Sequence, residues 1–324
     1  MRPINLLPLG LILLCVACSD SSDTLPAPEP LLDRYVLSSQ DSIPEGVAFD
    51  SIKREFYATS LQGGSITRIE AEGTESLFRE ADNQVELVGT KVDEDNRLLW
   101  VCASNVEGMG DQVWVYDLDS GDLETDFSLG AISTNGSCND LVLDDAGIAY
   151  VTDPVNPNIY RLDATSGEGQ VFITDQRFAD VTGRGLGLNG IAITPDGGSL
   201  IVGKFVPPGL FQVNFSNATS VTPVSLSGDN LPTPDGLAFL NGDLYTVSNS
   251  SISRVRFQGD FSAADVITRD QISGLSTATV AEGGLYAIKS EVTTWFINPS
   301  LVDLPFEIFQ VDIDAFDRPI PPDA

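Results

Sequence analysis

LNGIAITPDGGSLIVGK, residues 188–204, reads as two short strands about a tight turn. Apolar residues alternate before Pro195-Asp196-Gly197 and again after it, and Pro, Asp and Gly are the residues that turns select. The same phrase recurs along the chain. PEGVAFDSIKREFYATS runs from Pro44, LVGTKVDEDNRLLWVCAS from Leu87 and CNDLVLDDAGIAYVTD from Cys138; PDGLAFLNGDLYTVSN runs from Pro234 and LSTATVAEGGLYAIKS from Leu275. Their second residues are Glu45, Val88, Asn139, Asn189, Asp235 and Ser276, spaced by 43, 51, 50, 46 and 41 positions.

A hairpin repeated at that period marks the blades of a β-propeller. Each phrase supplies the two inner strands of one blade. SITRIEAEG, QVWVYDLDSG, NIYRLDATSG and GLFQVNFSN read as third strands running into turns, and runs such as QVFITD from Gln170 as outer fourth strands. Length alone, 324 residues, suggests two domains. The six repeats replace that expectation with one all-β domain over residues 34–324, a six-bladed β-propeller of four-stranded antiparallel blades. RYVLSS from Arg34 is expected to complete the last blade, because pairing the two ends removes exposed sheet edges.

The chain carries 47 Asp and Glu against 17 Lys and Arg, a net charge of −30, and no His. Such acidity repels phosphate backbones and argues against nucleic acid as a partner. Without His there is no Ser-His-Asp or Cys-His catalysis and no His-ligated zinc. Acids and bases must then be carboxylates, Lys, Tyr or metal-bound water.

The first residues read as an address. Arg2 precedes the apolar run LLPLGLILLCVA, Leu6 to Ala17, which has the length of a signal h-region. Cys15-Val16-Ala17-Cys18 resembles the lipobox of bacterial lipoproteins, which implies a signal peptide over residues 1–17 and lipidation of Cys18. SDSSDTLPAPEP then forms a flexible tether, residues 18–33. By the same resemblance Ser19 favours the outer membrane of a Gram-negative cell, so the expected localisation is exported and lipid-anchored, the anchor being the only membrane contact. In an oxidising compartment the two remaining thiols, Cys102 and Cys138, read as a disulfide. Cys102 ends the second strand of blade two and Cys138 begins the first strand of blade three, so the bridge would fix the loop of Asn139.

In a propeller the innermost strand lines the central channel, and its first residues ring one mouth. Glu45, Asn139, Asn189 and Asp235 should therefore converge. A single Asn-Gly or Asp-Gly is common turn material, but four oxygen side chains at one register of four repeats form a hard-ligand set suited to Ca²⁺. Mg²⁺ suits it less, preferring a tighter octahedron.

PEGVAFD, ND-x-x-x-DDAG, NGIAITPDGGSL and PDGLAF resemble the motifs of the gluconolactonase/regucalcin (senescence-marker protein) family of six-bladed propellers, over nearly all of residues 40–313. The resemblance implies a metal held by Glu45, Asn189 and Asp235, with Asn139 facing the metal or substrate; in the related paraoxonase and organophosphatase propellers the counterpart of Asn139 is a direct ligand. It also implies lactonase or related hydrolase activity, and on a small lactone or ester Asp235, or another carboxylate at the mouth, is the candidate general base. Two departures stand out. Ser137 occupies a position where the family often carries a sugar-contacting Arg, and the His pair of paraoxonases is missing.

Asp153, Lys204 and Asn249, with Lys289, fall at the ends of second strands on the metal face and, with Ser137, are candidate substrate contacts. Asp93-Glu94-Asp95 and Asp117-Leu118-Asp119 lack the full calcium-loop pattern and read as solvated turns. Trp100, Trp114 and Trp295 sit in strand patterns and read as blade packing. The chain is expected to be a monomer, and the competing reading is a non-catalytic propeller whose metal is structural and whose rim binds a protein or glycan.

Overall fold

Each repeated phrase becomes the inner hairpin of one sheet. In the computed structural model, which describes residues 28–318 apart from 41, 83, 107–109, 218–219 and 271, the inner hairpins pair Pro44–Asp50 with Glu55–Ser60, Glu86–Asp93 with Leu98–Val106, and Leu141–Leu143 with Ile148–Thr152. Blades four to six pair Leu188–Ile193 with Ser199–Lys204, Leu237–Leu240 with Asp243–Ser248, and Leu275–Ala281 with Gly284–Lys289. The expected third strands follow at Ile66–Glu70, Gly110–Asp117, Asn158–Asp163 and Gly209–Asn214. Cys18 and the segment expected to be the signal peptide lie outside the described residues.

The second strands are flanked by sheet on either side, and Glu55–Ser60, Ile148–Thr152, Ser199–Lys204 and Gly284–Lys289 are buried at every position. That is why they read as unbroken apolar and small-residue runs rather than as half-polar alternation. Their hairpins use tight turns. In blade five Leu240 pairs with Asp243 across Asn241 and Gly242, both at positive φ (53° and 86°), the backbone of a two-residue turn whose twist matches the flanking strands.

The ring closes as the sequence predicts. Arg34–Val36 runs antiparallel to Glu307–Gln310 and forms the outer strand of blade six. Tyr35 on that strand packs 5.2 Å from the ring of Phe56 in blade one, and Phe56 lies 5.2 Å from Tyr286 in blade six. One buried cluster thus spans the closure. The compact unit begins at Leu31, itself buried in that cluster.

Two local features differ from the expectation. Blade five adds a fifth strand, Ser225–Gly228, running parallel to its outer strand Ala263–Asp270; four residues after a Pro-containing strand leave little sequence signal. Trp295 belongs to a short helix, Val292–Ile297, and packs on the core from there. Trp100 and Trp114 do pack within blade two, Trp100 stacked 5.9 Å from Phe127.

Candidate metal site in the central channel

The six register residues sit where inner strands begin, and in four blades that start is irregular. Register shifts fall between Pro44 and Val47, Leu87 and Thr90, Leu188 and Ile191, and Leu275 and Ala278. A bulge re-aims side chains, here at Glu45, Val88, Asn189 and Ser276. The freed backbone groups bond between blades. Ser276 Oγ donates to the Glu45 carbonyl (2.7 Å), Thr59 Oγ1 to that of Val88, the Gly89 N–H to Asn139 O (2.9 Å), Thr152 Oγ1 to Asn189 O (2.6 Å) and the Gly236 N–H to Ser276 O (3.1 Å). A hydrogen-bonded girdle therefore holds the register residues at one level of the channel.

The blades approach closely enough there to exclude side chains. A Cβ on Gly46 would lie 2.4 Å from Val88 O, one on Gly89 2.5 Å from Asn139 O, and one on Gly190 2.1 Å from Asp235 O. These glycines follow Glu45, Val88 and Asn189 for steric reasons, and none needs a turn conformation. In blade three the position is Asp140.

Glu45, Asn139, Asn189 and Asp235 line one cavity, as their shared register predicts, and Asp140 and Lys91 line it with them. Glu45 and Asp140 are 8% and 7% exposed, whereas Asn139, Asn189 and Asp235 keep partial solvent access. Three carboxylates in so confined a space resist ionisation. Burial, then the charges of Asp235 and Asp140, hold Glu45 well above the usual carboxylate range, against a smaller opposing pull from Lys91. Burial and Asp140 push Asp235 up to about 7, although the Asn189 side chain hydrogen-bonds it. Asp140 is raised by burial, partly offset by Lys91 and by the N–H groups of Leu141 and Ile191. Its Oδ2 is buried without a hydrogen-bond partner.

Among the described residues no three Asp, Glu, Cys or His side chains converge as a metal-binding group. The expected set contains only two, Glu45 and Asp235, and completes itself with amide oxygens. Such an all-oxygen set, with an excess of buried negative charge, could hold a hard divalent cation.

The disulfide forms as read. Cys102 and Cys138 are bonded, with Cα atoms 5.7 Å apart, and the bridge ties blade two to the residue before Asn139. The candidate substrate contacts are placed differently from the ligand set, and none lines the cavity. Asp153 is fully buried; its carboxylate accepts from the N–H groups of Ser137, Val155 and Asn156, from the Tyr160 hydroxyl and from the Asn156 amide. Ser137 Oγ donates to Asp111. Lys204 is buried and donates to Arg177 O (2.7 Å), and Lys289 Nζ meets Asp303 at 2.8 Å. Asn249 accepts the N–H groups of Gly274 and Leu275 on its carbonyl, while its Oδ1 is buried without a partner. Sequence reasoning missed Asp140 and Lys91. The available signal for Asp140 was the break in the glycine column.

The model of the SMP-30/gluconolactonase/LRE-like region matches residues 43–266. Among solved structures, the Malassezia sympodialis allergen Mala s 1 is similar at TM-score 0.72 and 16% identity, covering 89% of this chain and 98% of its own. A gluconolactonase from Xanthomonas campestris is similar at TM-score 0.60 and 16% identity, covering 84% of this chain and 87% of its own. The virginiamycin B lyase of Staphylococcus aureus is similar at TM-score 0.55 and 14% identity, covering 86% and 97%. At these identities the likeness is one of fold. No curated protein matches the sequence. With its six blades, its register of channel residues and a family model matching well over half its length, this chain belongs to the SMP-30/gluconolactonase/LRE-like family.

Proposed function

We propose that the protein is a calcium-dependent hydrolase of a lactone or related ester, working at the mouth of the central channel. The observation that carries this reading is the cavity in which Glu45, Asn139, Asn189 and Asp235 meet with Asp140, three carboxylates against the single ammonium of Lys91. Those four residues would hold the ion. Bound there, Ca²⁺ would polarise the scissile carbonyl and favour charge on its oxygen. Asp235 would receive, on a carboxylate oxygen, the proton of the water that attacks the carbonyl carbon, and would return it to the alkoxide released when the C–O bond breaks. The Asn189 amide orients that carboxylate through its hydrogen bond. The test is hydrolysis of a panel of lactones and aryl esters with Ca²⁺ and with chelator: activity that survives excess chelator defeats the mechanism. Asn189→Ala should lose calcium binding and activity together while keeping the circular dichroism of the fold.

A second reading, a non-catalytic propeller with a structural metal and a rim that binds a protein or glycan, is favoured by one observation. Ser137, Asp153 and Lys204 are taken up by internal hydrogen bonds, so the expected contacts for a specific substrate are engaged elsewhere. Absence of turnover on every substrate, with calcium binding intact, would select it. We also propose that the chain is exported and anchored through Cys18, a reading supported by the Cys102–Cys138 disulfide, a bond that persists in oxidising compartments; radiolabelled fatty acid should enter the wild type and not Cys18→Ser.

A further inference from the structure

Beyond the polar cavity the channel changes character. Ile191, Ile193, Leu237, Phe239 and Val280 line its next stretch, and Lys91 is the one charged residue there. Lys91 also lines the polar cavity, so it stands at the boundary and belongs to both. It lies on the inner strand Glu86–Asp93 three residues past Val88, the register position of blade two, which itself offers no oxygen side chain. Glu45, Asp140 and Asp235 line the polar cavity with it, its charge acts on Glu45 and Asp140, and among the residues lining either part of the channel no other side chain is cationic.

The charge count is then specific. With all three carboxylates ionised, as a bound cation would favour, they and one ammonium leave a deficit of two, which one divalent cation cancels. A trivalent ion would overshoot, and without Lys91 the same carboxylates would suit a trivalent ion best. The unpartnered Oδ2 of Asp140 marks the carboxylate in excess of the expected ligand set. Ions in a low-dielectric channel feel each neighbouring charge strongly, and the penalty from a fixed positive charge grows with the valence of the ion.

Resting on the metal site proposed above, we infer that Lys91 is a built-in counter-charge that sets the valence preference of the channel, disfavouring trivalent relative to divalent cations. Lys91 touches no substrate in this account. It is a specificity-determining residue for the ion and acts by charge alone.

The experiment measures Ca²⁺ and Tb³⁺ dissociation constants by calorimetry on the full mature chain at one pH, for the wild type, Lys91→Met and Lys91→Arg. The ratio of the two constants is the readout, because competition from protons enters both and largely cancels. Lys91→Met should shift the ratio toward Tb³⁺ by tenfold or more, and Lys91→Arg should leave it within about twofold of the wild type. A ratio in Lys91→Met equal to that of the wild type overturns the inference. Lys91→Gln, polar enough for the channel boundary, carries the same test should the Met variant not fold. If the wild type binds neither ion, the metal reading fails and the inference falls with it; if it binds both and the ratio ignores residue 91, only the inference falls.

Discussion

Blades one, two and four place after the register residue a glycine packed on the next blade's register carbonyl, blade five places Gly236 there against Thr277, and blade three places Asp140 there. The contrast separates two demands on one position. In the first group the backbone lies against the next blade's register carbonyl, and Gly190 leaves 2.1 Å where a Cβ would stand. Blade three instead carries a carboxylate there, whose Oδ1 accepts the N–H of Leu141 (2.8 Å), and it joins blade four through Thr152 Oγ1 and the Asn189 carbonyl. A close approach has been exchanged for a buried charge. The glycines keep the ring tight, and the aspartate makes the channel electrically unsatisfied, which is the property a cation site needs.

That contrast can be broken most severely at the glycines. Gly190→Ala should destabilise the fold by about 3 kcal/mol or more, since the obstacle is backbone that cannot rotate away. Gly209→Ala, where a Cβ meets nothing within 4 Å, should stay within about 0.5 kcal/mol of the wild type. Chemical denaturation of both variants checks this, and equal midpoints would refute the close-approach account.

Next in size is the bridge that braces blade three. Replacing Cys102 and Cys138 together by Ala removes a crosslink across 36 positions and should cost roughly 3 kcal/mol. Calcium affinity should fall with it, because the Asn139 loop loses its anchor.

A pH series sharpens the electrical half of the comparison. Asp235 holds its proton up to about 7 in the fold against an ordinary 3.8, so between those values the folded chain retains a proton that the unfolded chain has released. Stability of the metal-free protein must then fall as pH rises through that window, by a few kcal/mol, with Glu45 acting in the same direction. Saturating Ca²⁺ should restore most of the loss at pH 8. Metal-free stability that rises from pH 4 to pH 7 would contradict the assignment. Smallest is Asp140→Asn, which removes one of three like charges and should stabilise the metal-free protein at pH 8 by about 1 kcal/mol while weakening Ca²⁺ binding about tenfold. Unchanged affinity would mean that Asp140 lies outside the field felt by the ion.

The sequence carried the blade count, the register of Glu45, Asn139, Asn189 and Asp235, the ring closure and the disulfide, because each is a property of period and position. What it hid depends on neighbours brought in by folding. Gly190, in an Asn-Gly pair, looked like turn material until the facing Asp235 carbonyl was in place. Asp153 and Lys204 sit at the expected strand ends, yet their partners, Tyr160 and the Arg177 carbonyl, arrive by tertiary packing and turn them inward. Lys91 carries no motif; only the shared lining of two cavities singles it out. The short helix of Trp295 spans too few residues to show a period.

The pairing of Arg34–Val36 with Glu307–Gln310 has a consequence for biogenesis. Arg34 and Glu307, joined at 3.1 Å, are 273 positions apart. A ribosome therefore releases nearly the entire domain before the ring can lock, and every shorter nascent chain leaves Arg34–Val36 without its partner strand. A chain that cannot close early stays open until its last strand is made, and that late step makes closure the stage most exposed to edge-to-edge aggregation.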